Sequence, residues 1–432
     1  MHLLFAFACV NPDSAEPAGP GRPTDTDSTA DTDTADTADT ADTADTADTA
    51  DTADTGPTVA KWQFLVYMNG DNDLEAYVPH DLNELELTGS GDGVEVLVQA
   101  DRIEEYSDKD GDWTGVRRYR IEADDDVLDV SSPVLEDLGE LDMGDPAVLA
   151  DFLTWAAATY PAEKRVLVMW NHGDAWLFQD PEAAAPPPGI SYDDTDGGSL
   201  SFAEGTFAAG VQASVEAHGK FEVIAFDACN MASWEVMHAL QPFAHAVAAA
   251  ETSIGWEGLQ YGPALAWLRT NPEEAPQAFA QELARGAVEE GGEPTFSATD
   301  LDALPAMSEA IDQLAGAALA DPDLASALFG YRRRTRGMDG TWKNWYLDAG
   351  DLAAVIQAAG DPTLAPLGAK LSTALQTTVV HAYGDEDYGW SGGLTLWFDP
   401  LDDYIDTYTD GAGATWSQDT RWGELMRSYA EK

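Results

Sequence analysis

From Lys61 onward, short continuous apolar runs alternate with stretches of helical periodicity. That alternation predicts a largely parallel sheet with helices on both faces, an α/β/α sandwich. The expected strands are Gln63–Met68, Val94–Ala100, Arg165–Trp170, Glu222–Asp227, Ala244–Ala250 and Gly393–Phe398, with helices near 74–87, 146–158, 202–217, 231–240, 274–290 and 302–318. Two of these runs end in polar groups. Val166-Leu167-Val168-Met169-Trp170 leads into Asn171-His172-Gly173, and Val223-Ile224-Ala225-Phe226 leads into Asp227-Ala228-Cys229. In an open parallel sheet, ligands bind outside the carboxyl ends of the strands. If the two strands are neighbours, His172 and Cys229 therefore reach one crevice.

The region before Lys61 is of another kind. Residues 24–55 repeat Asp-Thr-Ala without aromatic or branched aliphatic residues. Such a tract cannot bury enough surface to fold, so 9–60 is expected to be a disordered tether extended by repulsion among its aspartates. Residues 1–8, MHLLFAFA, form an apolar stub ending in small residues before Cys9. The stub resembles the end of a bacterial lipoprotein signal, though it is truncated and lacks a basic region. Lipidation of Cys9, membrane attachment and an extracellular or cell-envelope location are expected, with a cleaved ordinary signal as the alternative. No other stretch is long and apolar enough to span a membrane. The folded domain is expected over 61–432, as a core of 61–270 and a C-terminal part of 271–432, in which 302–380 reads as helical scaffold.

Composition removes several function classes. A hydrophobic content of 44% excludes disorder throughout. The 79 acidic residues outnumber the 21 basic ones, and a net charge of -58 excludes an electrostatic grip on nucleic acid phosphates. Partners should be neutral or cationic, although an acidic surface serves solubility or salt adaptation equally well. Cys9 and Cys229 are the two cysteines. With the low-complexity tract between them, no structural disulfide framework is expected, and each needs its own explanation.

For Cys229 that explanation is either an inert buried thiol or a nucleophile, and for His172 either a structural histidine or a general base. Together they make a Cys–His dyad. An imidazolium and a helix N-terminus after Cys229 would favour the thiolate that attacks a carbonyl. His172 would protonate the leaving amine, and the backbone N–H groups of Gly173 and Cys229 would hold the oxyanion. An α/β-hydrolase arrangement is disfavoured because the histidine precedes the cysteine and no flanking glycines form a nucleophile elbow.

The pattern resembles the clostripain family of cysteine peptidases, which have a caspase-like fold. The resemblance is carried in order by Val66-Tyr67-Met68-Asn69-Gly70-Asp71-Asn72-Asp73-Leu74-Glu75, the His172-Gly173 segment, Asp227 to Glu235, Ala250 to Ile254, Tyr261-Gly262, Phe296 to Leu301 and Ser391 to Phe398. It implies a secreted or surface-tethered endopeptidase, expected to be monomeric, that cuts protein or peptide substrates after Arg and sometimes Lys. Asp227 matches a position that binds the basic side chain, with Glu251 and Glu257 as further candidates. The alternative is a non-catalytic binding or adhesion lipoprotein on the same fold. No cofactor or metal is expected, with calcium left open because some relatives use it. Asp71-Asn72-Asp73 reads as a calcium site or, with Glu75, as a capping box, and capping is favoured. Asp193, Asp194 and Asp196 read as a solvated loop rather than a metal site. Residues 173–219 contain no Lys or Arg, so self-cleavage there is not expected. The run Arg332-Arg333-Arg334-Thr335-Arg336 is a solvated loop or a maturation site.

Overall fold

The computed structural model describes residues 59–104, 106–176, 189–338, 345–399 and 404–431. Cys9 and the Asp-Thr-Ala tract lie outside them. Eleven strands follow in chain order: β1 (Ala60–Gly70), β2 (Val94–Arg102), β3 (Val116–Arg120), β4 (Val134–Gly139), β5 (Ala162–Trp170), β6 (Phe221–Asp227), β7 (Ala244–Ala249), β8 (Thr295–Asp300), β9 (Tyr346–Asp348), β10 (Val379–Gly384) and β11 (Thr395–Trp397). Nine of them form one sheet ordered β10-β8-β7-β6-β5-β1-β2-β3-β4. The central strands β7, β6, β5, β1 and β2 are parallel. Antiparallel strands extend both edges.

The run Gly393–Phe398, expected in the main sheet, instead supplies β11, which pairs antiparallel with β9 in a separate small sheet. Strands β3, β4, β8 and β10 give no continuous apolar signal. β4 is an edge strand of half-exposed and exposed residues, and β8, TFSATD, is built from small polar residues buried by their surroundings.

Alternate side chains of the central strands point to opposite faces. In β1, Trp62, Phe64, Val66 and Met68 enter one core, and Leu65 and Tyr67 enter the other. The first core is covered by α1 (Val78–Glu86) and, later in the chain, the helix pair 261–270 and 276–289; the second is covered by α2 (Pro146–Thr159), α3 (Thr206–His218) and α4 (Trp234–Leu240). That pair is α5 (Tyr261–Thr270) and α6 (Pro276–Glu289), and α7 (Leu304–Ala320), α8 (Pro322–Arg332), α9 (Ala349–Ala359) and α10 (Leu364–Thr378) join the second layer together with the short helices over 405–430. Local chemistry marks the helix starts. Asp145 accepts the Ala147 N–H ahead of Pro146, and Ser233 accepts the Val236 N–H at the head of α4. At the end of α8, Arg332 and Arg336 of the basic run pair with Asp399 and Asp351.

Candidate active site

Parallel register brings the two polar segments together. β5 and β6 are neighbours in which Trp170 stands opposite Asp227, so His172 and Cys229, each two residues further on, leave the sheet at the same level. The Asn171 N–H donates to the Asp227 carbonyl at 3.3 Å. The Asn171 side chain donates to the Asn69 carbonyl at 2.6 Å and accepts the Tyr192 N–H at 2.9 Å, which ties the histidine segment to the end of β1. Glycine at 173 has a steric cause. A Cβ there would stand 2.5 Å from the Cys229 carbonyl oxygen and 2.8 Å from the Met231 sulfur. The backbones of Gly173 and Cys229 therefore meet directly.

Cys229 is 2% exposed, and its Sγ accepts the Ile254 N–H at 3.3 Å. The chain then turns through Asn230, whose φ of 61° lies in the left-handed region that asparagine tolerates. Residues 230–233 are held by bonds from Asn230 N–H to the Thr252 carbonyl and from Ala232 N–H to the Ala250 carbonyl. The helix expected directly after Cys229 begins only at Trp234, under its Ser233 cap. The N–H group aimed at Sγ is therefore that of Ile254 rather than one at a helix terminus. Cys229 is disulfide-bonded in this structure. Nucleophilic chemistry belongs to the reduced thiol.

His172 has a partner that the sequence reading did not assign. Its Nε2 lies 2.7 Å from Asp73 Oδ1, and this bond holds the Asp73 carboxyl below its ordinary range. A carboxylate only accepts, so Nε2 carries the proton in this pair. Asp73 is available because no capping box forms. Asn72 Oδ1 accepts the Leu74 N–H in a tight turn, and Glu75 is turned inward to a buried pair with Arg102 at 2.8 Å.

His172 and Cys229 line one narrow cleft, together with Tyr77, Trp170, Asp227 and Trp256. Asp227 is the acid that lines it, and Asp81, Glu84 and Glu293 lie close enough to interact with Asp227. Asp227 accepts the Tyr261 hydroxyl at 2.7 Å and the Leu259 N–H at 3.2 Å. The Trp170 indole donates to Asp81 at 2.6 Å, Gly262 N–H to Glu84 at 3.3 Å, and Gly255 and Gly258 N–H to Glu293 at 2.6 and 3.0 Å. Desolvation pushes these carboxyls up, with neighbouring carboxylates adding to it for three of them: Asp227 to about 6, Glu293 to about 7, Glu84 to about 8, and Asp81 well above the carboxylate range. None of the four forms an ion pair among the described residues. Buried acids without a counter-ion favour a cation that enters and pairs with them.

Of the other candidates, exposed Glu257 contributes its charge to this cluster. Glu251 does not line the cleft. It accepts from the Ser391 hydroxyl and from Gly393 N–H at 3.1 Å, and lies against Asp348 beneath the 391–393 turn. Asp81, Glu84 and Glu293 escaped the sequence reading because the first two read as ordinary acids of an amphipathic helix and the third as a loop acid. None of the three follows a strand end, the position that marks His172 and Cys229.

A family model described as the clostripain family matches residues 66–429. Clostripain of Hathewaya histolytica is 27% identical over 214 residues, 47% of this chain and 40% of that protein, so the chain spans well under half of that curated relative. Among solved structures, an inactive zymogen C11 protease from Parabacteroides distasonis is 18% identical with a TM-score of 0.59, covering 86% of this chain and 99% of that one. A secreted C11 cysteine protease from Bacteroides thetaiotaomicron, in complex with an irreversible peptide inhibitor, is 16% identical with a TM-score of 0.61, covering 83% and 99%. At these identities the two structures establish a common fold, the caspase-like sandwich expected above.

Proposed function

This chain belongs to the clostripain family, and from that premise we propose that it is a cysteine endopeptidase that cuts after Arg, and less readily after Lys. Cys229 is the nucleophile and His172 the general base. His172 Nδ1 takes the Sγ proton, and the sulfur attacks the scissile carbonyl carbon. The backbone N–H groups of Gly173 and Cys229 hold the resulting oxyanion. As the C–N bond breaks, the imidazolium returns its proton to the departing amine, leaving a thioacyl enzyme. Water then attacks the thioester, giving a proton to His172, and the acid product leaves as Sγ is reprotonated. Asp73 fixes the tautomer throughout.

The observation that carries this reading is the cleft itself, where the strand-end cysteine and histidine stand beside Asp227, a buried carboxyl that forms no ion pair among the described residues. A guanidinium entering there gains directional, charge-assisted bonds in a desolvated site. Asp227 is the central acid of that subsite, with Glu257 at its rim. Glu251 acts only through the 391–393 turn. The secreted description of the Bacteroides protein and the lipoprotein-like residues before Cys9 support an extracellular location with a lipid anchor. No described helix is long and apolar enough to cross a membrane.

The test is cleavage of a chromogenic arginyl amide by reduced protein. Turnover should vanish on thiol alkylation and in Cys229→Ala. Absence of arginyl and lysyl cleavage by the folded, reduced wild type would move the assignment to a binding protein on a peptidase fold.

A further inference from the structure

Residues 254–259 form a loop ahead of α5, and Ile254, Gly255 and Trp256 make one wall of the cleft beside Cys229. Four of the six backbone N–H groups in this loop are taken by side chains outside it. Ile254 N–H goes to Cys229 Sγ at 3.3 Å, Gly255 and Gly258 N–H go to Glu293 at 2.6 and 3.0 Å, and Leu259 N–H goes to Asp227 at 3.2 Å. A buried N–H must find an acceptor, so these three residues decide where the loop lies. Trp256 is its exposed side chain, stacked on Tyr77 with ring centroids 6.1 Å apart and met edge-on by His80 at 5.6 Å.

Of the three, Glu293 does not line the cleft. It is buried between α6 and β8, and its own N–H donates to the Ala287 carbonyl at 3.0 Å, which fixes the root of the side chain. Both oxygens then go to the same loop, Oε2 to Gly255 and Oε1 to Gly258. Hydrogen bonds from N–H groups to a carboxylate are charge-assisted, and a two-point grip sets the tilt of the loop as well as its height. The glycine at 258 is what allows it. Its φ is 48°, and a Cβ there would fall 2.1 Å from Asp227 Oδ1, so only a bare backbone passes between the two carboxylates.

We propose that Glu293 is a positioning residue of the active site, which by gripping Gly255 and Gly258 keeps the Ile254 N–H on Cys229 Sγ and the Trp256 ring against Tyr77. The inference rests on Cys229 being the nucleophile. Ile254 adjoins Gly255, so slack at Gly255 passes directly to the N–H that meets the sulfur. An N–H donated to sulfur favours the thiolate over the thiol, and losing it makes Cys229 harder to ionise. The same slack frees Trp256 from Tyr77 and spoils the wall against which a substrate is aligned.

The test compares the full chain, reduced, as wild type, E293A and E293Q. The first reading is the rate at which iodoacetamide alkylates Cys229 across pH, followed on the Cys229 peptide by mass spectrometry. E293A should move the midpoint of that profile up by about one pH unit. The second is kcat/KM on a chromogenic arginyl amide, which should fall by about 10²-fold in E293A, the cost of a misplacement of about 1 Å. E293Q keeps one acceptor oxygen for the two N–H groups and should lie between E293A and wild type in both readings. D125N, exposed and outside the cleft lining, should match wild type. A merely structural Glu293 would lower Tm and leave the alkylation profile where it is, so an unshifted profile in folded E293A, or in E293Q where E293A does not fold, overturns the proposal. So does a folded E293A within about twofold of an active wild type in kcat/KM. Alkylation needs no turnover: a shifted profile in E293A beside a wild type that cleaves nothing would remove the peptidase reading and leave the grip of Glu293 standing.

Discussion

Replacing Gly173 with alanine tests the backbone contact on which the dyad depends. The added Cβ would sit 2.5 Å from the Cys229 carbonyl oxygen, 2.8 Å from the Met231 sulfur and 2.9 Å from the Ala228 Cβ. An ordinary contact needs about 3.5 Å, so one segment must retreat by roughly 1 Å. The Asn171 side chain anchors the histidine segment to Asn69 and Tyr192, and the Cys229 segment is anchored to Thr252 and Ala250, so the strain separates the two catalytic groups. A 1 Å misplacement costs about 10²-fold in rate, or about 2.7 kcal/mol of transition-state stabilisation. We expect G173A to lose about 10²-fold in kcat/KM on an arginyl amide while its near-ultraviolet circular dichroism persists. G330A is the control, because a Cβ at that position in α8 meets nothing within 4 Å, and its kcat/KM should match wild type. If folded G173A kept its activity within about twofold, the close approach would be irrelevant to catalysis and the reasoning wrong.

Three further outcomes are expected. Asp73→Asn should lower kcat by about 10²-fold with little change in KM, because it removes the acceptor that fixes the His172 tautomer; a KM effect alone would contradict that role. D227N should cut the preference for arginyl over neutral substrates by about 10²-fold, as loss of one partner of a buried charge pair costs about 2–5 kcal/mol, and an unchanged preference would remove Asp227 from the subsite. The third concerns pH and stability. Burial raises Asp227, Glu293 and Glu84 to about 6, 7 and 8 in the fold, above their ordinary values of 3.8, 4.5 and 4.5. The native state therefore holds these protons more tightly than the unfolded chain, so the stability they contribute is present at pH 4 and is lost as pH rises to about 8. Calorimetric Tm should fall over that interval, and less steeply in E84Q; parallel slopes would refute the assignment.

The strand ends were legible because buried strands carry an unbroken apolar signature and because His172 and Cys229 stand at equivalent offsets from Trp170 and Asp227. Sequence reading placed β1, β2, β5, β6 and β7 for the same reason. It missed β8, whose small polar residues are buried by tertiary packing alone, and it put 393–398 in the wrong sheet because an apolar run does not state its partner. The helix after Cys229 was placed too early. The left-handed Asn230 and the bonds from 230 and 232 to the β7 extension hold that segment in a turn that local periodicity does not reveal. Asp73 looked like part of a cap, since nothing in the sequence links it to a histidine 99 positions away. Glu251 looked like a subsite residue because it follows a strand, but its contacts with Ser391 and Gly393 lie 140 and 142 residues further on.

The central claim, a basic-residue-directed Cys229–His172 dyad, is tested most directly by covalent labelling. Reduced protein is treated with a peptidyl electrophile bearing arginine next to the reactive carbon, and the adduct is located by peptide mass spectrometry. The account predicts one adduct, on Cys229, formed far more slowly in His172→Ala and competed by an arginyl peptide. An unlabelled Cys229 in folded, reduced protein, or labelling that proceeds equally fast without His172, would contradict it.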